Sequence, residues 1–139
     1  SMEMSKRFAT SAFVALSLLL GMVTPNIAHA AACTATTNST IADKIANGHA
    51  WGSHSSEFVA GTVMAGLAMP ATPKVTTIAE FKSHILTTMG SATNKALTNG
   101  RKAYWWAATG TFVVFDPNNV DCGTAFRPTD GKPYYDRQV

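Results

Sequence analysis

Two histidines five residues apart, His49 and His54 in Gly48-His49-Ala50-Trp51-Gly52-Ser53-His54, are the side chains of this chain best suited to moving protons. Imidazole changes charge near neutral pH, so two of them can serve as general base and general acid. A reaction that takes a proton from a ribose 2′-hydroxyl and returns one to a departing 5′-oxygen needs that pair. A spacing of five does not stack both rings on one helix face as four would, and no Glu lies between them. A zincin-like metal site is therefore disfavoured, and neither metal nor cofactor is expected. The competing reading leaves His49 as a cap or a neighbour of Trp51, with His54 solvated. His84 falls on the polar side of a helical pattern and is expected at the surface.

Arg101 stands just before Tyr104-Trp105-Trp106. A guanidinium can hold a phosphate bidentately and offset the extra charge of a pentacovalent transition state; the plain alternative is a surface arginine at a strand start. Trp105 and Trp106 alternate faces if both lie in a strand, so one belongs to the core while the other can stack on a base. Thr124 and Arg127, in Gly123-Thr124-Ala125-Phe126-Arg127-Pro128, offer a hydroxyl and a second guanidinium near the same sheet.

These residues sit on elements that can be read from local pattern. Ser39 or Thr40 can cap a first short helix with Ile41, Ile45 and Trp51 on one face, stopped at Asn47-Gly48. His49 to Phe58 can form a second. Residues 59–75, with Gly61, Gly66, Pro70 and Pro73, read as a loop with a small apolar element. Thr76 or Thr77 caps the clearest helix, with Glu80 at capping-box spacing and Ile78, Phe81, Ile85 and Met89 at helical intervals. After Asn99-Gly100 the pattern turns to strands: 101–106 and 111–115 form a hairpin, and 124–127 a third strand, with Tyr134-Tyr135 near the end. Helices first and a small antiparallel sheet second give an α+β domain.

The apolar run Phe13–Thr24 follows Lys6 and Arg7 and ends in Ala28-His29-Ala30, the pattern of a secretory signal peptide cut after residue 30. Ser1-Met2-Glu3 reads as tag residues before a start at Met4. The run is too short for a stable span of a ~30 Å hydrocarbon core, so no membrane insertion is expected once it is removed. What remains, 31–139, fits one domain carrying nine basic and seven acidic side chains. That mild positive charge does not by itself call for nucleic acid. Only Cys33 and Cys122 remain as cysteines in an exported, oxidising setting, periplasmic or extracellular. A single disulfide is expected; the alternatives are two free thiols or a bond to another chain. Neither cysteine sits in a CxxC or beside a histidine, which argues against redox or nucleophilic roles. No G-x-S-x-G motif and no convincingly placed carboxylate pair supports an envelope hydrolase.

Taken in order, Ile45-Ala-Asn-Gly48-His49-Ala-Trp51-x-x-His54-x-x-Glu57-Phe58, Gly100-Arg101-x-Ala103-Tyr104-Trp105, Phe112-Val-Val-Phe-Asp116-Pro117 and Asp121-x-Gly123-Thr124-Ala125-Phe126-Arg127-Pro128-x-x-Gly131-x-x-Tyr134-Tyr135 resemble the C-terminal nuclease domains of bacterial polymorphic and contact-dependent growth-inhibition toxins. The wider relatives of those domains are the barnase, EndoU, colicin D and RelE-like ribonucleases. The resemblance runs from about Ile41 to Tyr135 and implies that ribonuclease fold and metal-independent cleavage of RNA through a 2′,3′-cyclic phosphate. It makes His49 and His54 the acid, base or phosphate contacts, Arg101 the phosphorane stabiliser and Thr124 a phosphate-positioning hydroxyl. Tyr135 or Tyr134 would orient the substrate, with Trp51, Trp105 and Arg127 as further contacts. It also implies RNA as partner and a cognate immunity protein as a second. The chain has Gly52-Ser53 where the resemblance expects Asp-Lys, which removes a cation from the site. A secreted binding module that keeps the scaffold without cleavage is the second expectation.

Overall fold

The computed structural model describes residues 32–139, so the expected leader at 1–30 lies outside the described residues. Helix α1 (Asn38–Asn47) begins at Thr37. The Thr37 Oγ1 accepts from the Thr40 N–H, and Thr40 Oγ1 accepts from the Thr37 N–H. Thr40, expected as a cap itself, is thus the third residue of a reciprocal capping box. After Gly48 the chain turns into α2 (His49–His54), which tightens into a 3₁₀ turn at Ser55–Phe58. The predicted loop contains a small hairpin, β1 (Val63–Met64) and β2 (Leu67–Ala68). Helix α3 (Ile78–Met89) is capped by Thr77, whose Oγ1 accepts from the Glu80 N–H at 3.1 Å. The Glu80 carboxylate reaches one residue further back than the capping-box spacing predicts, to the N–H and hydroxyl of Thr76 at 3.0 and 2.6 Å.

Four strands follow in chain order as an antiparallel meander: β3 (Asn94–Ala96), β4 (Lys102–Trp106), β5 (Thr111–Phe115) and β6 (Gly123–Phe126). Register sorts their side chains by the period of two. Tyr104, Val113 and Ala125 lie abreast on one face and join Ile41, Ile45, Phe81, Ile85 and Met89 in the main core. Trp105, Phe112 and Phe126 lie abreast on the other, where Phe112 and Trp105 are buried with Tyr135 of the short helix α4 (Lys132–Asp136). The domain is therefore α+β, its sheet packed between the α1–α3 pair and α4. Phe81, Ile85 and Met89 carry the core face of α3 as their spacing predicts, whereas Ile78 in the first turn is exposed.

His84 corrects an expectation. It is buried, with Nε2 2.8 Å from Thr111 Oγ1, its ring edge-on to Phe58 and tilted against Trp106. Helical spacing from Phe81 and Ile85 brings position 84 over β5, where Thr111 supplies a polar partner. Burial, and next the Arg127 charge, push its pKa down to about 4.

Cys33 and Cys122 form the expected disulfide, with Cα atoms 4.8 Å apart, and the Cys33 N–H donates to Pro117 O. Together they pin the segment around Cys33 beside the loop that enters β6. That loop closes tightly. The Asp116 N–H donates to Cys122 O, and a Cβ on Gly123, at φ +128°, would meet Val114 O at 1.9 Å. Only glycine fits there. No helix among the described residues is long and apolar enough to cross a membrane.

Candidate active site

Helix α2 packs along β6, so its two histidines sit over opposite ends of that strand. At the far end, the 3₁₀ turn places Glu57 three residues after His54, the interval at which 3₁₀ side chains eclipse. His54 Nδ1 lies 2.5 Å from Glu57 Oε2. Glu57 Oε1 in turn accepts from the Arg127 main-chain N–H at 2.8 Å. The pair is largely covered, with 29% of the His54 side chain and 19% of Glu57 exposed. A carboxylate on Nδ1 holds the neutral ring with its proton on that nitrogen. Nε2 has no hydrogen-bond partner among the described residues.

His54 and Glu57 line a groove of about 330 Å³ with Phe126, Tyr134, Thr129 and Arg137. Its aromatic wall is closely packed. The His54 ring lies against Phe126 at 5.2 Å, and Tyr134 meets Phe126 and Phe112 edge to face at 5.2 and 5.0 Å. Arg137 lies over Tyr134, 5.1 Å from the ring centroid, and donates to Asp130 at the rim. The same guanidinium holds the Asp130 carboxyl below its ordinary range. The groove thus combines an oriented imidazole, two aromatic faces and a cation.

At the near end, His49 forms a second histidine–carboxylate pair. Its Nδ1 lies 2.8 Å from Asp121 Oδ2, which also accepts from the His49 N–H at 3.3 Å. These contacts hold the Asp121 carboxyl below its usual range. A Cβ on Gly48 would fall 2.8 Å from Asp121 Cγ, so glycine is what admits the carboxylate. This pair is more open than the first, with half of the His49 side chain exposed.

The remaining expected site residues are scattered. Arg101 donates from Nε to Thr98 O and from Nη2 to Thr98 Oγ1 and Val139 O. Among the described residues Thr124 Oγ1 is buried without a hydrogen-bond partner, as is Trp105 Nε1. Tyr135 is buried under Lys95 and Lys132, which lie over its ring. Trp51 packs on Phe81 and lines a separate, mainly apolar hollow of about 400 Å³ with Val59 and Val75. Arg127, expected to meet substrate, is a correction. The residue is 1% exposed, and its Nε, Nη1 and Nη2 donate to the carbonyls of Thr109, Glu57, Thr62 and Leu67. Of the expected residues the groove unites His54, Tyr134 and the backbone of Arg127. Sequence reasoning missed Glu57 and Asp121 as partners of the two histidines. The i,i+3 interval from His54 to Glu57 was the available signal; nothing local marks Asp121.

Among the described residues no group of three or more His, Cys, Asp and Glu gathers as metal ligands would. Comparison with known protein families, with curated proteins and with solved structures finds nothing that matches this chain.

Proposed function

We propose that the chain is an exported, toxin-like ribonuclease and that His54 is its general base. The observation that supports this most is the fixed His54–Glu57 pair inside a groove with aromatic walls and an arginine at its rim. With Nδ1 bound to Glu57, Nε2 is the nitrogen left to accept a proton. A nucleobase stacks on Phe126 or Tyr134, and Arg137 meets the adjacent phosphate. His54 Nε2 takes the 2′-hydroxyl proton as that oxygen bonds to phosphorus. The bond from phosphorus to the 5′-oxygen breaks, and the departing oxygen takes a proton from solvent. The products are a 2′,3′-cyclic phosphate and a free 5′-hydroxyl. RNA is the implied partner, and an immunity protein would be the second.

One observation favours the other reading, a binding module that holds RNA without cutting it. Among the described residues His54 is the only imidazole lining the groove, and Arg137 is already paired with Asp130. The test is incubation of the oxidised domain, with a chelator present, with RNA and with a 2′-deoxy control. Cleavage of RNA alone, lost in His54→Ala, supports the enzyme. Tight binding without products supports the module. Loss in His49→Ala with retention in His54→Ala moves the chemistry to the other end of α2.

A further inference from the structure

We propose that Arg127, whose guanidinium is enclosed by main-chain carbonyls, is the positioning residue of His54. The inference rests on the reading of His54 as the working base, and it concerns how that ring is kept in place. Arg127 grips Glu57 twice. Its main-chain N–H donates to the carboxylate oxygen that His54 does not use, and its Nη1 donates to the Glu57 carbonyl, both at 2.8 Å. Both grips come from one residue at the end of β6, so Glu57 is fixed in position as well as in rotamer. The same guanidinium reaches Thr62 and Leu67 at either side of the β1–β2 hairpin and Thr109 in the β4–β5 turn, each at 2.8 Å. Three separate segments thereby converge behind the groove.

Burying a guanidinium is costly unless its donors are met. Here Nε, Nη1 and Nη2 all have carbonyl partners, and among the described residues no carboxylate touches the guanidinium itself. The charge is thus solvated by main chain, and the Glu57 carboxylate is left to His54 and one amide. A carboxylate bound directly to the guanidinium would turn away from the imidazole. The arrangement also continues inward. Thr109 Oγ1 lies 2.7 Å from Thr111 Oγ1, which meets His84 Nε2 at 2.8 Å. Buried hydroxyls therefore stiffen the turn whose carbonyl receives Arg127 Nε.

The test reads the ring directly. Nitrogen-15 spectra of the His54 imidazole in the wild type should show the proton on Nδ1 in the neutral ring. Arg127→Lys keeps a cation but cannot reach four carbonyls; the ring should then become a mixture of tautomers, and kcat on RNA should fall on the order of 100-fold with KM little changed. An unchanged His54 spectrum in folded Arg127→Lys overturns the proposal. If that variant does not fold, hydrogen exchange in the wild type decides. The Arg127 Nε–H and main-chain N–H must open in the same event that releases the His54 ring, and independent opening overturns the proposal. The spectra require no turnover, so a wild type that fails to cleave RNA sinks the ribonuclease reading and leaves this test standing.

Discussion

His54 Nδ1 and Glu57 Oε2 are 2.5 Å apart on one turn of chain, so the element that presents the base also presents the carboxylate that orients it. Replacing Glu57 by Ala leaves the imidazole without that partner and the Arg127 N–H without an acceptor. General-base catalysis contributes on the order of 100-fold or more, and kcat should fall by that much. Glu57→Gln keeps the shape and should retain more of the rate. Single-turnover cleavage of a short RNA measures both; equal rates for Glu57→Ala and wild type would remove the pair from the mechanism.

The groove wall predicts a different kinetic signature. Phe126 and Tyr134 touch each other, and Phe126 also touches His54. Base stacking on an aromatic ring is worth roughly 1–3 kcal/mol. Tyr134→Ala should therefore raise KM, or Kd for a short RNA, by about 5- to 150-fold while changing kcat less. Tyr134→Phe keeps the face and should bind nearly as the wild type does. Fluorescence anisotropy with a labelled oligonucleotide separates the two variants.

The legible parts of this fold are those whose cause is local. The β4–β5 hairpin follows from two aromatic and β-branched runs around Ala107-Ala108-Thr109-Gly110, and α3 from Thr77, Glu80 and the Phe81, Ile85, Met89 spacing. Strand β3, Asn-Lys-Ala, is short, polar and at an edge, so nothing in its composition marks it. Helix α4 hides behind Pro133 and two tyrosines that favour strands, yet proline fits the first turn of a helix. The site divides in the same way. Both histidines stand out in the sequence, but Asp121 reaches His49 only because β6 passes beneath α2, 72 residues on. Arg127 reads as a second guanidinium near the sheet and a substrate contact, because its four carbonyl partners come from loops that only the tertiary fold assembles.

His84 makes stability depend on pH. Its folded pKa of about 4 lies below the ordinary 6.5, so the unfolded chain binds the extra proton between those values. The contribution is fully present above 6.5 and is lost as pH falls toward 4, at up to about 1.4 kcal/mol per pH unit. Urea midpoints measured from pH 7 to 4.5 should fall. The slope should flatten in His84→Gln, which keeps a donor for Thr111 and does not titrate. An equally steep fall in that variant would assign the effect elsewhere.

The disulfide should matter for folding more than for the groove. Cys33 and Cys122 are 89 residues apart, and closing so long a loop removes on the order of 4 kcal/mol of unfolded-state freedom in the chain-entropy model. Reduction should lower the melting temperature clearly. It should also loosen the His49–Asp121 pair before the His54–Glu57 pair, because Asp121 adjoins Cys122 while Glu57 is held by Arg127. Histidine ring spectra with and without reductant, below the melting point, give the order directly.

Gly48→Ala separates the two histidine–carboxylate pairs without altering either histidine. The backbone at Gly48 is extended, with φ −84° outside the left-handed region, so its conformation does not demand glycine and the variant should fold. The new Cβ, however, would stand 2.8 Å from Asp121 Cγ and 3.0 Å from Oδ2, so the Asp121 side chain must swing off His49. The pair is exposed, and its loss should cost no more than about 1 kcal/mol. Asp121 should then titrate nearer the ordinary carboxylate value, since its low pKa comes chiefly from the His49 contact. Cleavage of RNA should persist in Gly48→Ala if His54 is the base, because nothing in the His54–Glu57–Arg127 chain touches position 48. A loss of cleavage equal to that of His49→Ala, in a protein that melts normally, would place the reacting phosphate at the Asp121 end of β6.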